Sequence, residues 1–290
     1  MNASPAPTTS LDLGGVTLTY VPDGEFRAEP GVAYPGGHED LFTDGLDVLD
    51  EDGMLVLSVG AVLVTTGDRR VLVDAGIGAR TIPLVRPGTS RDAYMRGGAL
   101  LENLRELGVR PEDVDAVLLT HLHADHVGWI GDESADGVPT FPNAEYWLSE
   151  DEWDAWAGPG QEGDAVGPRP HELRIIGARR RHLVEGSEPV EGVTAVATVG
   201  HTPGHTAFSV QGTRRRAFIV GDAVHCPAEV LHPDLRWVGD HDAATAVRTR
   251  TDIADRVARE GAVLVGPHFP DAVFRRYDPA ATPSLTPHPL

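Results

Sequence analysis

The sequence predicts an α/β fold, and three observations carry the prediction. Short apolar runs of strand length recur at residues 116–119, 217–220 and 262–265, each continuous enough for a strand buried on both faces. Apolar residues at helical spacing lie between such runs, most clearly over residues 242–260, which Gly261 closes. Polar residues able to do chemistry stand directly after the strands, where sheet-based sites are usually built.

Taken in order, residues 1–10 are rich in Ser, Thr and Pro and read as a disordered N-terminus. Alternation over residues 16–20 marks a first strand; residues 22–52, rich in Gly, Pro and acids, read as an irregular approach loop whose His38 is solvated. Residues 54–65 and 70–74 are β-rich runs joined by the hairpin signal Thr66-Gly67-Asp68. Asp74 ends the second run, either as a cap or as a buried carboxylate supporting a metal loop. Residues 99–107 have helical spacing closed by Gly108, and Pro111-Glu112-Asp113 opens the next turn.

Residues 144–148 suit a strand, and Ser149 with Glu152 forms a capping-box pattern for a short helix carrying Trp153 and Trp156. His171 and His182 flank an Arg-rich helical stretch whose charges read as a solvated face. Further β runs occupy residues 193–199 and 207–211, and the tail from Pro279 reads as a frayed terminus with an inert His288. Without repeats or linkers, the expected organisation is one domain over residues 11–278, with residues 279–290 as a tail.

At 290 residues and 41% hydrophobic content the chain can bury a sizeable core. A formal charge of -20 disfavours nucleic acid and anionic membrane as partners. All 24 basic residues are arginine, which biased coding composition explains. The single cysteine, Cys226, excludes an intrachain disulfide. No signal-peptide pattern and no apolar run of membrane-spanning length occurs, so the expectation is a cytoplasmic protein acting on a small molecule; oligomeric state is left open, a homodimer included.

The densest chemistry lies in HLHADH, residues 121–126. His121, His123 and Asp125 follow a buried run at every second position, and His126 breaks that parity. A strand followed by a turn near Asp125 therefore yields two clusters, His121 with His123 and Asp125 with His126, whereas one helix would scatter all four around its circumference. This reads as a metal site. Three more segments follow β runs: GHTPGHT, in which His201 or His205 can bind metal on local grounds, Asp222 after residues 217–221, and His268 after Gly266-Pro267.

With these residues in view, the chain resembles the metallo-β-lactamase-fold hydrolase superfamily, nearest to its lactonase and methyl-parathion-hydrolase-like group. The resemblance runs from about residue 54 to residue 269 and rests on HLHADH (121–126), TPGHT (202–206), GDAV (221–224) and GPH (266–268). It implies an αββα four-layer sandwich with a dinuclear site at one edge. One ion would be held by His121, His123 and His205, the other by Asp125, His126 and His268, with Asp222 bridging and Asp74 in support; His201 is left as a supporting or structural residue. Imidazole and carboxylate suit two Zn2+ and also admit iron, manganese or cobalt.

Such a pair would make a bridging hydroxide nucleophile, with Asp125 orienting it and passing a proton to the leaving group. Asp222 argues against true β-lactamases, His123 against flavodiiron proteins, the charge against RNA-processing members, and the absence of lysine against glyoxalase II. In GDAVH, His225 stands where many lactonases have tyrosine, and it is expected to face the substrate. The reading is hydrolysis of a lactone or other carboxylic ester. Phosphotriester or thioester hydrolysis is the alternative, and a non-catalytic metal-binding protein the alternative of another class.

Overall fold

The computed structural model describes residues 2–36, 42, 48–84, 93–132, 137–158, 166–280 and 283–289, so His38 lies outside the described residues. In chain order the first part runs β1 (Thr9–Asp12), β2 (Val16–Ala28), α1 (Pro30–Ala33), β3 (Leu55–Thr66), β4 (Arg69–Val73), β5 (Thr81–Pro83), β6 (Tyr94–Arg96) and α2 (Leu100–Glu106). It continues with β7 (Ala116–Leu118), α3 (Ala124–Val127), β8 (Gly131–Asp132), β9 (Val138–Pro139), β10 (Glu145–Ser149), α4 (Glu150–Ala157), α5 (Pro170–Ala178) and β11 (Arg180–Leu183). The second part runs β12 (Val193–Ala197), β13 (Thr206–Gln211), β14 (Arg216–Ile219), α6 (Pro227–Leu231), α7 (Ala243–Glu260), β15 (Val263–Val265), β16 (Phe274–Asp278) and β17 (Ser284–Pro287).

Among the described residues the first part forms a nine-stranded sheet in the order β11-β10-β7-β4-β3-β2-β6-β5, with β1 beside β2. Its β4, β7, β10 and β11 run parallel to their neighbours in that series. The second part forms a six-stranded sheet, β12 to β17 in order, in which only β14 and β15 are parallel.

Period-two burial stacks these sheets into four layers. Val71, Val73, Ala116 and Leu118 share an inner core with Phe208, Val210, Ala217, Ile219, Val263 and Val265 of the other sheet. The alternate residues Leu72 and Val117 face Leu100, Leu104, Ile175 and Ile176 of α2 and α5. Phe218 and Leu264 likewise face Ile253, Ala254 and Val257 of α7. This is the αββα sandwich, with a helix layer outside each sheet.

Several expectations need correction. Residues 2–10 are ordered: Ala3 and Ala6 are buried, the Ala6 N–H donates to Ser58 Oγ at 2.8 Å, and β1 pairs antiparallel with β2. Among the described residues of the tail, β17 pairs with β16 and the His288 N–H donates to Phe274 O at 2.9 Å, so these are not frayed. The N-terminal segment is held by partners far away in sequence as well as by β2, and the tail closes a hairpin on β16, neither of which local composition reveals. β2 runs on to Ala28 through the span expected to be loop; a register shift between Pro22 and Gly24 accommodates the proline. The Arg-rich helix stops at Ala178, and residues 180–183 become a strand parallel to β10. No helix among the described residues is long and apolar enough to cross a membrane.

Candidate metal centre

The site lies at the edge where β4, β7, β14 and β15 end. Beyond β7 the chain carries His121 and His123 and then turns into α3, whose first turn presents Asp125 and His126. The loop from β12 to β13 brings His201, the turn after β14 brings Asp222, and the turn after β15 brings His268. Gly221, at φ 52°, lets β14 end against this cluster: a Cβ there would stand 2.7 Å from His205 Nε2 and 2.9 Å from Thr120 Cγ2.

Potential ligand atoms converge in two groups, His121, His123, His201 and Asp222, and Asp125, His126 and His268, each within 4.8 Å. His123 Nδ1 lies 2.9 Å from both His121 Nε2 and His201 Nε2. Asp222 divides its oxygens between the groups: Oδ2 lies 3.3 Å from His201 Nε2, and Oδ1 lies 3.0 Å from His126 Nε2 and 2.8 Å from His268 Nε2. Asp125 Oδ2 stands 3.7 Å from His126 Nε2 and 3.8 Å from His268 Nε2.

The donor set fits divalent cations, because hydrogen bonds behind the rings fix where the lone pairs point. His126 Nδ1–H donates to Asp74 Oδ2 at 2.9 Å, and His268 Nδ1–H donates to Ser58 O at 2.6 Å. The two Nε2 atoms then face each other at 3.3 Å, beside an Asp222 Oδ1 that has no hydrogen-bond partner. Acceptors facing acceptors at these separations repel; a cation among them turns that repulsion into ligation, and protons are its competitors.

Burial and the neighbouring imidazoles hold His121, His201 and His205 well below the ordinary histidine pKa, suiting neutral nitrogen donors. Burial also works against charging His126, but Asp222, Asp74 and Asp125 outweigh it and raise its pKa. Protons therefore compete hardest with metal on the His126 side.

His201 and His205 exchange the places expected of them. His205 is fully buried, its Nδ1 lies 2.8 Å from Thr198 Oγ1, and its Nε2 accepts the Asp222 N–H at 3.0 Å. With both ring nitrogens occupied by the protein, it braces the turn of Asp222 and is absent from the convergent cluster. His201 occupies that place, with Nδ1 turned back to Asp240 Oδ1 at 3.3 Å. Nothing in the local spacing of GHTPGHT distinguishes the two.

Glu152 was legible only as a helix-capping residue. Ser149 does accept the Glu152 N–H at 3.2 Å, but the Glu152 carboxylate leaves its own helix end. It accepts from Leu122 N (2.9 Å), Trp156 Nε1 (2.9 Å), Thr202 Oγ1 (2.6 Å) and Gly204 N (3.2 Å), and so ties the His121–His123 loop to the loop of His201.

His225 is buried and stacked on Trp237, with ring centroids 4.1 Å apart. Its Nδ1 faces both Glu229 oxygens at 3.3 Å, while its Nε2 has no hydrogen-bond partner and lies 3.4 Å from Asp222 Oδ2. Carboxylate only accepts, so His225 Nδ1–H donates to Glu229, and a second proton, on Nε2, makes the ring an imidazolium. Burial opposes that charge, but Glu229 and Asp222 outweigh it and push the pKa up to about 10.

A cavity of about 110 Å³ opens onto this cluster, walled by Phe26, Leu57, Met95, Val166, Trp237 and Val238. Among the described residues, no arginine lines it.

The fold and this site define an αββα sandwich with a histidine- and aspartate-lined cluster at one edge. Residues 55–268 match the Metallo-beta-lactamase superfamily, and the chain belongs to that family. It is 28% identical over 194 residues to a probable metallo-hydrolase of Mycobacterium tuberculosis, covering 59% of this chain and 58% of that protein. It is 26% identical over 228 residues to the N-acyl homoserine lactonase AttM of Agrobacterium fabrum, covering 72% of this chain and 81% of that one. The solved structure of AidC, a dizinc quorum-quenching lactonase, superposes with a TM-score of 0.80 at 21% identity over 98% of each chain.

Proposed function

We propose that the protein is a dinuclear zinc-dependent hydrolase that cleaves a lactone or other carboxylic ester. The observation that carries the reading is Asp222, whose Oδ2 faces the His201 group while its partnerless Oδ1 faces His126 and His268. Zinc ions bound by these residues would supply Lewis acidity at the carbonyl oxygen and an activated water.

The chain's own residues do the rest. Asp125, at the mouth between the cavity and the His126 group, orients the water and carries a proton to the leaving oxygen. His225 presents Nε2 to the carbonyl oxygen from a ring held by Glu229 and Trp237. The apolar wall of Phe26, Leu57, Met95 and Trp237 binds an uncharged substituent and excludes water. The lactonase activity named for AttM is consistent with that substrate class.

The test is metal analysis of purified protein followed by a hydrolysis screen of lactones, aryl esters, thioesters and phosphotriesters. The expected result is two ions per chain and turnover concentrated on neutral lactones or esters. A stoichiometry held at one ion after zinc saturation, or turnover confined to phosphotriesters or thioesters, overturns it.

A further inference from the structure

Behind the two imidazoles that meet Asp222 Oδ2 lies a buried charged network outside the metal-facing shell. Arg250 of α7 is fully buried, and its guanidinium lies between two buried carboxylates: Nη1 is 3.3 Å from Glu229 Oε1 on α6 and 3.3 Å from Asp240 Oδ2. Its Nη2 donates to Leu235 O at 2.5 Å and lies 3.4 Å from Asp240 Oδ2, and its Nε donates to Pro233 O at 3.3 Å. Each carboxylate then reaches a site imidazole. Asp240 Oδ1 faces His201 Nδ1 at 3.3 Å, and Glu229 faces His225 Nδ1 at 3.3 Å as well as accepting the His225 backbone N–H. The other nitrogens of both rings return to Asp222 Oδ2, at 3.3 Å and 3.4 Å, closing a ring of charged groups.

A buried guanidinium is costly unless its fork is fully used, and a packed apolar residue would serve stability as well. What an apolar residue cannot do is fix the orientation of two carboxylates at once. We propose that Arg250 is a positioning residue that sets two site imidazoles together, His201 through Asp240 and His225 through Glu229. The inference rests on the reading above, in which His201 faces metal and His225 faces substrate. Residues behind a metal ligand hold its tautomer and ring angle, and their loss typically weakens metal binding about 10- to 100-fold.

The test uses the full chain carrying Arg250→Lys, Asp240→Asn or Glu229→Gln. Zinc and cobalt affinities are measured by chelator competition, and the ring ¹⁵N resonances of His201 and His225 are recorded with and without zinc. Asp240→Asn is expected to weaken one of two ions about 10- to 100-fold, and Glu229→Gln to move the His225 ring resonances. Arg250→Lys, which alters no atom touching either ring, is expected to do both. Arg250→Lys with ion affinities within about twofold of wild type and unmoved ring resonances overturns the proposal. Should Arg250→Lys fail to fold, the cycle of Asp240→Asn, Glu229→Gln and their double variant decides: non-additive shifts support a shared bracket, and additive ones overturn it. None of these readouts requires turnover, so failure on every ester would remove the substrate reading while leaving this test intact. The ring spectra without zinc still read the bracket if the protein binds fewer ions than proposed.

Discussion

Asp74 accepts the Nδ1 proton of His126 at 2.9 Å from a backbone held at φ 63°, a left-handed conformation that side chains other than glycine rarely adopt. The same carboxylate accepts from Thr120 N at 2.8 Å and from Thr120 Oγ1 at 3.0 Å, and Thr120 immediately precedes His121. One strained residue at the end of β4 thus fixes both ends of the HLHADH turn. Asp74→Asn is expected to lower metal affinity about 10- to 100-fold, because an amide nitrogen cannot accept from either donor it would meet. Chelator competition checks this, and wild-type affinity in the variant refutes it.

The exchanged histidines give a sharper test. His201→Ala is expected to lose metal from the His121–His123 side and most turnover with it. His205→Ala should keep its metal but leave the Asp222 N–H and Thr198 Oγ1 without their buried partner, costing about 1–3 kcal/mol in denaturant unfolding. Metal lost from the His205 variant and kept by the His201 variant would restore the reading drawn from sequence.

Glu152 is the cross-link between the two loops that carry His121, His123 and His201. Glu152→Ala strands four donors in the interior and is expected to cost on the order of 3–5 kcal/mol. Glu152→Gln retains one good acceptor and should lose less. Urea unfolding of the metal-free proteins measures both, and an alanine variant within about 1 kcal/mol of wild type would show that the clamp contributes little.

The strands that position the site were legible because each is a short apolar run with a polar residue at its end, as with Leu118 before His121 and Val220 before Asp222. The pairing of His121 with His123 apart from Asp125 with His126 followed from strand parity and a turn. What remained hidden depends on contacts distant in sequence. Whether His201 or His205 faces the cluster is decided by the Asp222 N–H, which reaches back to His205. Asp23 sits in what read as the start of a loop, yet its carboxylate accepts from Ile77, Gly78, Gly98 and Leu100 backbone N–H groups and from Trp129 Nε1. Nothing local marks Glu229, Asp240 and Arg250, which come together only when α7 packs against α6 and the segment between them.

Cys226 adjoins His225 but should be chemically silent in the native protein. Burial pushes its pKa up to about 12, and the Tyr34 hydroxyl lies 3.2 Å from Sγ. A raised thiol pKa means the neutral form persists as pH rises through the ordinary range, so thiolate is scarce at about pH 8. An aromatic disulfide reagent is expected to titrate no thiol in the folded protein and one per chain after denaturation. Rapid native labelling would contradict that burial.

His225 is the residue through which substrate chemistry can be separated from metal binding. It is held from behind by Glu229 and from one face by Trp237, and its Nε2 is the ring atom left toward the cavity. His225→Phe keeps the flat ring against Trp237 and removes both nitrogens. The Nε2 interaction with a developing oxyanion is then lost, on the order of 10²-fold in the chemical step for ester or lactone substrates. Both ions should stay bound, because the convergent groups do not include His225. Single-turnover kinetics with metal analysis on the same sample separates the outcomes. Unchanged kinetics across several ester classes would leave His225 a packing residue of the Trp237 wall, whereas a lost ion would make it a ligand.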